Sequence, residues 1–265
     1  MILPEIRSLL KTLVDSAQTV LGRNLAGLYL HGSLASGDFN LRTSDIDFAA
    51  VTTQAVSAAE FRQLQEMHAR LYASGLPWSQ KLEGAYLPPE VLRRHDPAHP
   101  PVPWLGVDGH FALETLGSDW IFERWMLREH GVVLHGPALR EWIDPVTAED
   151  LKAAVRASLR EWWSPPFPSP QRFESDEYRA YAVLTMCRSL FVLANGRPAS
   201  KPEAARWALI QMDEHWHDLI HEALVWSPGK AFNFIDRTFE LMEYTLAINE
   251  PNRQTDPPDE QRYFR

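Results

Sequence analysis

The spacing of apolar positions divides the chain into a half with mixed periods and a half with one. Over 4–21, Ile6, Leu9, Leu10, Leu13, Val14 and Val20 recur every three or four residues, which predicts an amphipathic helix ended by Gly22. The period then changes. In 25–51, LAGLYLHGSLASGDFNLRTSDIDFAAV, two apolar runs flank a Gly-Ser turn that opens a short helix or loop, predicting two strands, the second carrying Asp45 and Asp47. The Ser-x-x-Glu capping signature of Ser57 and Glu60 starts a helix to about residue 73, with Phe61, Leu64, Met67 and Leu71 on one side. A turn at Gly75 and Pro77 leads to a third strand over 79–87, closed by Pro88 and Pro89. The His- and Pro-rich stretch 93–110 reads as a surface loop, and a helix over 118–129 follows.

From Thr147, an N-cap followed by Asp150, the pattern is helical throughout: 148–163, 176–195, 202–212, 214–226 and 231–248. SPPFPSPQ (164–171) cannot continue a helix and reads as a linker. The expected fold class is α+β. A domain over 1–146, a small mixed sheet flanked by helices, precedes an all-α helical bundle over 147–250 and a polar, Pro-rich tail over 251–265 expected to be flexible.

Candidate chemistry concentrates in 25–51. Residues two apart on a strand project from one face, so Asp45 and Asp47 stand together while Ile46 and Phe48 turn into the core. A hard cation such as Mg²⁺ is commonly shared between one or two carboxylates and substrate phosphates. Gly32 lets backbone approach a ligand closely, and the Ser33 hydroxyl with nearby N–H groups can face phosphate oxygens. A Gly-Ser pair alone is usually a turn, and an Asp-x-Asp alone is usually a solvated strand edge. Their combination across eleven intervening residues is more restrictive, because burying Asp47 between Ile46 and Phe48 is costly unless a cation matches its charge. Together they describe a site for a metal nucleotide.

Composition narrows the partners. The 265 residues include 35 acidic and 26 basic side chains, a formal charge of -9, and no Lys/Arg run forms a stripe. That argues against a nucleic-acid substrate, which needs clustered positive charge. The acidic surplus suits a cationic small molecule, although a solubilising surface accounts for the same number. The single cysteine, Cys187, excludes an intrachain disulfide and reads as a buried packing residue. His95, His99 and His110 lack compact zinc-site spacing. The N-terminal segment lacks a basic end followed by an apolar core, and no apolar run reaches about 18 residues, so a cytoplasmic location without membrane contact is expected.

Through LYLHGS and SDIDF the chain resembles the nucleotidyltransferase superfamily that includes DNA polymerase β. It is most similar there to the aminoglycoside adenylyltransferases of the streptomycin/spectinomycin type. The resemblance continues through REHGVVLHGPAL (128–139), DPVTAEDL (144–151), VLTMCRSLF (183–191) and ASKPEAARWAL (199–209). It implies an adenylyltransferase dependent on one or two Mg²⁺ ions, moving AMP from ATP to a hydroxyl of a cationic aminoglycoside with release of pyrophosphate; a monomer is expected.

In that reading Asp45 and Asp47 hold metal, and Glu83 is the general base for the acceptor and a third metal and substrate contact. Gly32, Ser33 and Ser44 meet the phosphates. The resemblance places an acid near Asp119 close to the nucleotide, where a helix N-cap explains it equally. Arg188 and Lys201 would reach the triphosphate across an acidic cleft between the halves, and Tyr244 would contact adenine or pack in the core. Trp104 in the 93–110 loop, and Trp162 or Trp163 at the linker, are candidates to touch a sugar, and Asp176 and Glu177 to bind drug amino groups. The chain departs from the family pattern beside Glu174, with Tyr178 and Tyr181 nearby and a small insertion. Two alternatives remain: another acceptor, such as a protein hydroxyl or tRNA end, and a silent nucleotide sensor.

Overall fold

A computed structural model describes residues 3–167 and 169–249; the tail expected over 251–265 lies outside the described residues. The chain forms two compact units, one spanning Met1–Val146 and the other beginning at Thr147.

The first unit runs α1 (Pro4–Leu21), β1 (Leu25–Leu30), α2 (Gly32–Ser36), β2 (Ile46–Thr52), α3 (Ala58–Tyr72), β3 (Leu82–Leu87), α4 (Pro89–Arg93), β4 (Val102–Leu105), β5 (Phe111–Glu114), α5 (Trp120–His130) and β6 (Val132–His135). Its six strands form one mixed sheet in the order β5-β4-β3-β2-β1-β6. Only β2 and β3 are parallel among the paired neighbours. Pro4 opens α1, and Gly22 ends it at a positive φ of 52°. The Ser57–Glu60 capping box at α3 forms in both directions.

Strand alternation gives the sheet two apolar faces. Even-numbered Leu28, Leu30, Ile46, Phe48 and Tyr86 pack in one core with α1 and α3 residues. Odd-numbered Tyr29, Ala49, Val51, Ala85 and Leu87 pack in a second with Trp120 and Leu127 of α5. Ile46 and Phe48 are fully buried, each burial stabilising the fold by about 2 kcal/mol. It follows from parity that Asp47 and Glu83 belong to the α5 side of the sheet.

Three expectations are corrected. The 93–110 loop contains β4, with Trp104 in it, and its end leads into a further strand, β5. The third strand starts at Leu82, after a 3₁₀ turn at Ser79–Lys81. Asp45 lies just outside β2, which begins at Ile46.

The second unit contains α6 (Ala148–Trp162), α7 (Asp176–Asn195), α8 (Lys201–Gln211), α9 (His217–Val225) and α10 (Ile235–Asn249). Helix α7 is the central one and packs against the other four. Its buried residues, among them Ala180, Val183, Met186, Cys187, Leu190 and Phe191, occupy more than one face, as a surrounded helix requires. Burial pushes the Cys187 thiol up to about 12, so it is a packing residue and no nucleophile. Thr147 and Asp150 close a capping box at α6, and Ser200 accepts from the Glu203 N–H at α8. No helix among the described residues is long and apolar enough to cross a membrane.

Candidate active site

Strand register assembles the site from the sheet outward. Antiparallel pairing of Leu30 with Phe48 brings residue 31 opposite residue 47, and the His31 N–H donates to the Asp47 carbonyl at 3.1 Å. Parallel pairing sets Asp47 beside Glu83. His31, Asp47 and Glu83 therefore form one row across three adjacent strands. One step earlier, Ile46 pairs with Leu82, so Asp45 and Lys81 are neighbours, and the Lys81 ammonium lies 3.2 Å from Asp45 Oδ1. Lys81 is 43% exposed, so this pair is weak, about 0–1 kcal/mol, and can yield to another cation.

The Gly-Ser turn closes over the row. Gly32 sits at φ +63°, and a Cβ there would fall 1.9 Å from Asp47 Oδ2, so only glycine leaves the carboxylate its place. Ser33 follows in α2, its carbonyl accepting from the Gly37 and Asp38 N–H groups. The Ser44 hydroxyl accepts from the Asn40 N–H at 3.0 Å, bracing the loop that delivers Asp45.

Two residues that sequence reasoning missed belong to this row. His31 is 5% exposed, and its Nδ1 lies 2.8 Å from Glu123 Oε2 on α5. Burial alone would lower the His31 pKa. Contact with Glu123, the charges of Glu123 and Asp47 and the Phe48 backbone outweigh it, and the pKa is raised. The signals were present: His31 continues the odd-numbered face of β1, and Glu123 lies one helical turn beyond Asp119.

Glu83 is the most perturbed acid of the group. Burial first, then the charges of Asp47, Asp45 and Glu123, push its pKa up to about 7, with His31 partly opposing them. The charges of Asp47, Asp45 and Glu123 all act on Glu83, while Asp45 is itself paired with Lys81 and Glu123 with His31. Among the described residues no three His, Cys, Asp or Glu side chains form a ready metal cage, so the expected ring of Asp45, Asp47 and Glu83 is not preassembled and Asp45 turns to Lys81. The donor set still fits a hard divalent ion, since Mg²⁺ takes one or two carboxylates and completes its shell with phosphates and water.

The other residues singled out from the sequence are dispersed. Asp119 occupies the N-cap position of α5, but its side chain makes no capping hydrogen bond. Trp104, expected on a loop, lies in β4 and meets Trp120 edge-on at 5.9 Å, so packing in the second core uses it. Within the second unit, Arg188 donates from Nε to the Ala199 carbonyl at 3.2 Å. Lys201 stands 4.8 Å above the Tyr181 ring. Tyr244 is 41% exposed and lies against Trp216. Asp176 Oδ1 accepts from the Phe232 N–H at 2.7 Å and pairs with Arg179, so one oxygen of this expected drug contact is committed to the fold. Glu177 is beside it in the first turn of α7, at a surface groove that also includes Trp226 and Lys230. Trp163 is buried and stacks on Tyr178, whereas Trp162 is exposed.

Comparison with known proteins extends this picture. Residues 141–245 match the family model described as aminoglycoside adenylyltransferase, C-terminal domain. An aminoglycoside (3'') (9) adenylyltransferase of Shigella flexneri is 27% identical over 93% of this chain and 95% of its own length. A spectinomycin 9-adenylyltransferase of Campylobacter jejuni is 24% identical over 79% of this chain and 81% of its own. In fold, the chain is similar to the crystal structure of spectinomycin adenyltransferase AAD(9) from Enterococcus faecialis with ATP and spectinomycin, with a TM-score of 0.71 and 16% identity, covering 92% of this chain and 98% of that one.

Proposed function

We propose that this chain, a nucleotidyltransferase of the aminoglycoside-modifying type, moves AMP from ATP to a hydroxyl of a streptomycin- or spectinomycin-like antibiotic and releases pyrophosphate. The observation that carries the reading is the row of Asp47 and Glu83 on adjacent strands, with Asp45 one step away and the Gly32–Ser33 turn pressed against Asp47. The match of the helical half to the aminoglycoside adenylyltransferase C-terminal domain supports the choice of acceptor.

Asp45 and Asp47 would hold Mg²⁺, with Lys81 giving way on Asp45. A bound Mg²⁺ would supply charge neutralisation for the phosphates and the leaving pyrophosphate. Ser33 and the turn's N–H groups meet phosphate oxygens, with Ser44 beside them. Glu83, with a pKa of about 7, is suited to take the proton of the acceptor hydroxyl near neutral pH, where a general base is most effective. Arg188 and Lys201 supply further positive charge to the triphosphate, and Tyr244 and Asp119 contact the nucleoside. Asp176, Glu177 and Trp104 contribute to holding the cationic acceptor.

Calorimetry with MgATP, followed by pyrophosphate release in the presence of a panel of aminoglycosides, tests the reading. Nucleotide binding with drug-dependent release is expected. Binding without release for any drug would refute the acceptor, and absence of nucleotide binding would refute the site.

A further inference from the structure

The row contains one pair that the proposed reaction does not use. His31 is buried, its Nδ1 is 2.8 Å from Glu123 Oε2, and the two come from separate places in the fold, the junction between β1 and α2 and the first half of α5. At that distance the imidazole and the Glu123 carboxylate form a close pair, although the geometry at Nδ1 is not that of a completed hydrogen bond. On its backbone side His31 donates its N–H to the Asp47 carbonyl, and the next residue, Gly32, is the one whose α-carbon abuts the Asp47 carboxylate. Any movement of residue 31 therefore moves both the Gly-Ser turn and the space in which Asp47 sits.

We propose that Glu123 is a positioning residue. Through His31 it ties the Gly32–Ser33 turn to helix α5 and so holds Asp47 and the turn's N–H groups in the geometry that receives a metal nucleotide. The inference rests on the nucleotide-site reading and is independent of which acceptor is modified. Glu123 is suited to this role because Trp120, Arg124 and Leu127 bury the same helix in the unit's second core, making α5 a rigid anchor. Glu123 itself is only partly covered, so a substitution there removes the tether without opening a core cavity.

The test compares Glu123→Ala with Glu123→Gln in the full chain. MgATP affinity is read by calorimetry, and hydrogen exchange of residues 31–37 by mass spectrometry. The alanine variant should bind MgATP about tenfold more weakly and exchange faster in that segment, while melting as a folded protein, since small displacements in a reactive site carry losses of this order. The glutamine variant, whose amide oxygen can still meet Nδ1–H, should recover most of both.

An alanine variant with wild-type MgATP affinity and unchanged exchange would overturn the proposal. So would a glutamine variant as impaired as alanine, which would show that charge and not the tether matters. A wild-type chain that binds MgATP but modifies no aminoglycoside would refute the acceptor assignment and leave this comparison decisive. His31→Phe, retaining bulk without the nitrogen, should reproduce the alanine phenotype, and wild-type behaviour in it would also overturn the tether.

Discussion

Glu83 shows how one position fixes a chemical property. It lies on the α5 side of β3, half-covered, opposite Asp47, and its carboxyl is pushed up to about 7 from an ordinary 4.5. A folded-state pKa above the unfolded one means that the group's contribution to stability is complete below about 4.5 and is lost as pH rises through about 7. Metal-free protein should therefore melt at lower temperature at pH 8 than at pH 5.5, and Glu83→Gln should flatten that slope in a calorimetric scan. The same variant should retain MgATP binding and lose turnover by about 10²–10⁴-fold, the contribution of a general base. Equal slopes for both proteins would contradict the assigned burial.

Gly32→Ala makes a separate demand. The positive φ costs about 1–2 kcal/mol and the new Cβ displaces the Asp47 carboxylate, so MgATP affinity should fall by more than the loss in melting temperature alone explains. At this scale Asp47 and the glycine follow from alternation and turn chemistry, whereas Glu83 is singled out by the family resemblance and Asp45 lies just outside the strand. His31 and Glu123 were not legible, because their meeting depends on β1–β2 register and on the packing of α5, and neither has a local signature.

Elements were legible where a cap or a long period marks them. Helix α7 spans the expected 176–195, and the boxes at Ser57 and Thr147 set the starts of α3 and α6. Ser57→Ala should cost about 1 kcal/mol in denaturant unfolding and leave turnover unchanged at 25 °C, because α3 packs on the face of the sheet away from the acids. A loss of activity in that variant would show that the two faces are coupled.

The short strands β4, β5 and β6, four residues each, escaped the sequence reading. Pro100, Pro101 and Pro103 give the first the signature of a loop. Pairing with β3 and β5 and the contact of Trp104 with Trp120 hold it in the sheet regardless. Tertiary contacts here override local preference. The difference from the sequence reading is specific: Trp104, expected on a loop, stands in a strand and leans, partly buried, against the second core.

At the scale of the whole molecule, the formal charge of -9 has a kinetic consequence for a cationic acceptor. Its KM should rise several-fold as salt increases to ~0.3 M, where charges are screened beyond several ångströms, whereas the KM of anionic ATP should not rise with it. The division into two units at 146/147 places Asp45, Asp47, Glu83 and the Gly-Ser turn in the first, and the family match, which begins at residue 141, falls almost wholly on the second. The family model covers the helical unit, while the similarity to the Shigella flexneri adenylyltransferase runs over 93% of the chain and so includes the sheet. The direct test of the combined account is mass spectrometry of streptomycin and spectinomycin after incubation with ATP, Mg²⁺ and either the wild-type chain or Glu83→Gln. The account predicts an AMP ester on a drug hydroxyl with wild type and none with the variant; unmodified drugs with a folded, ATP-binding wild type would contradict it.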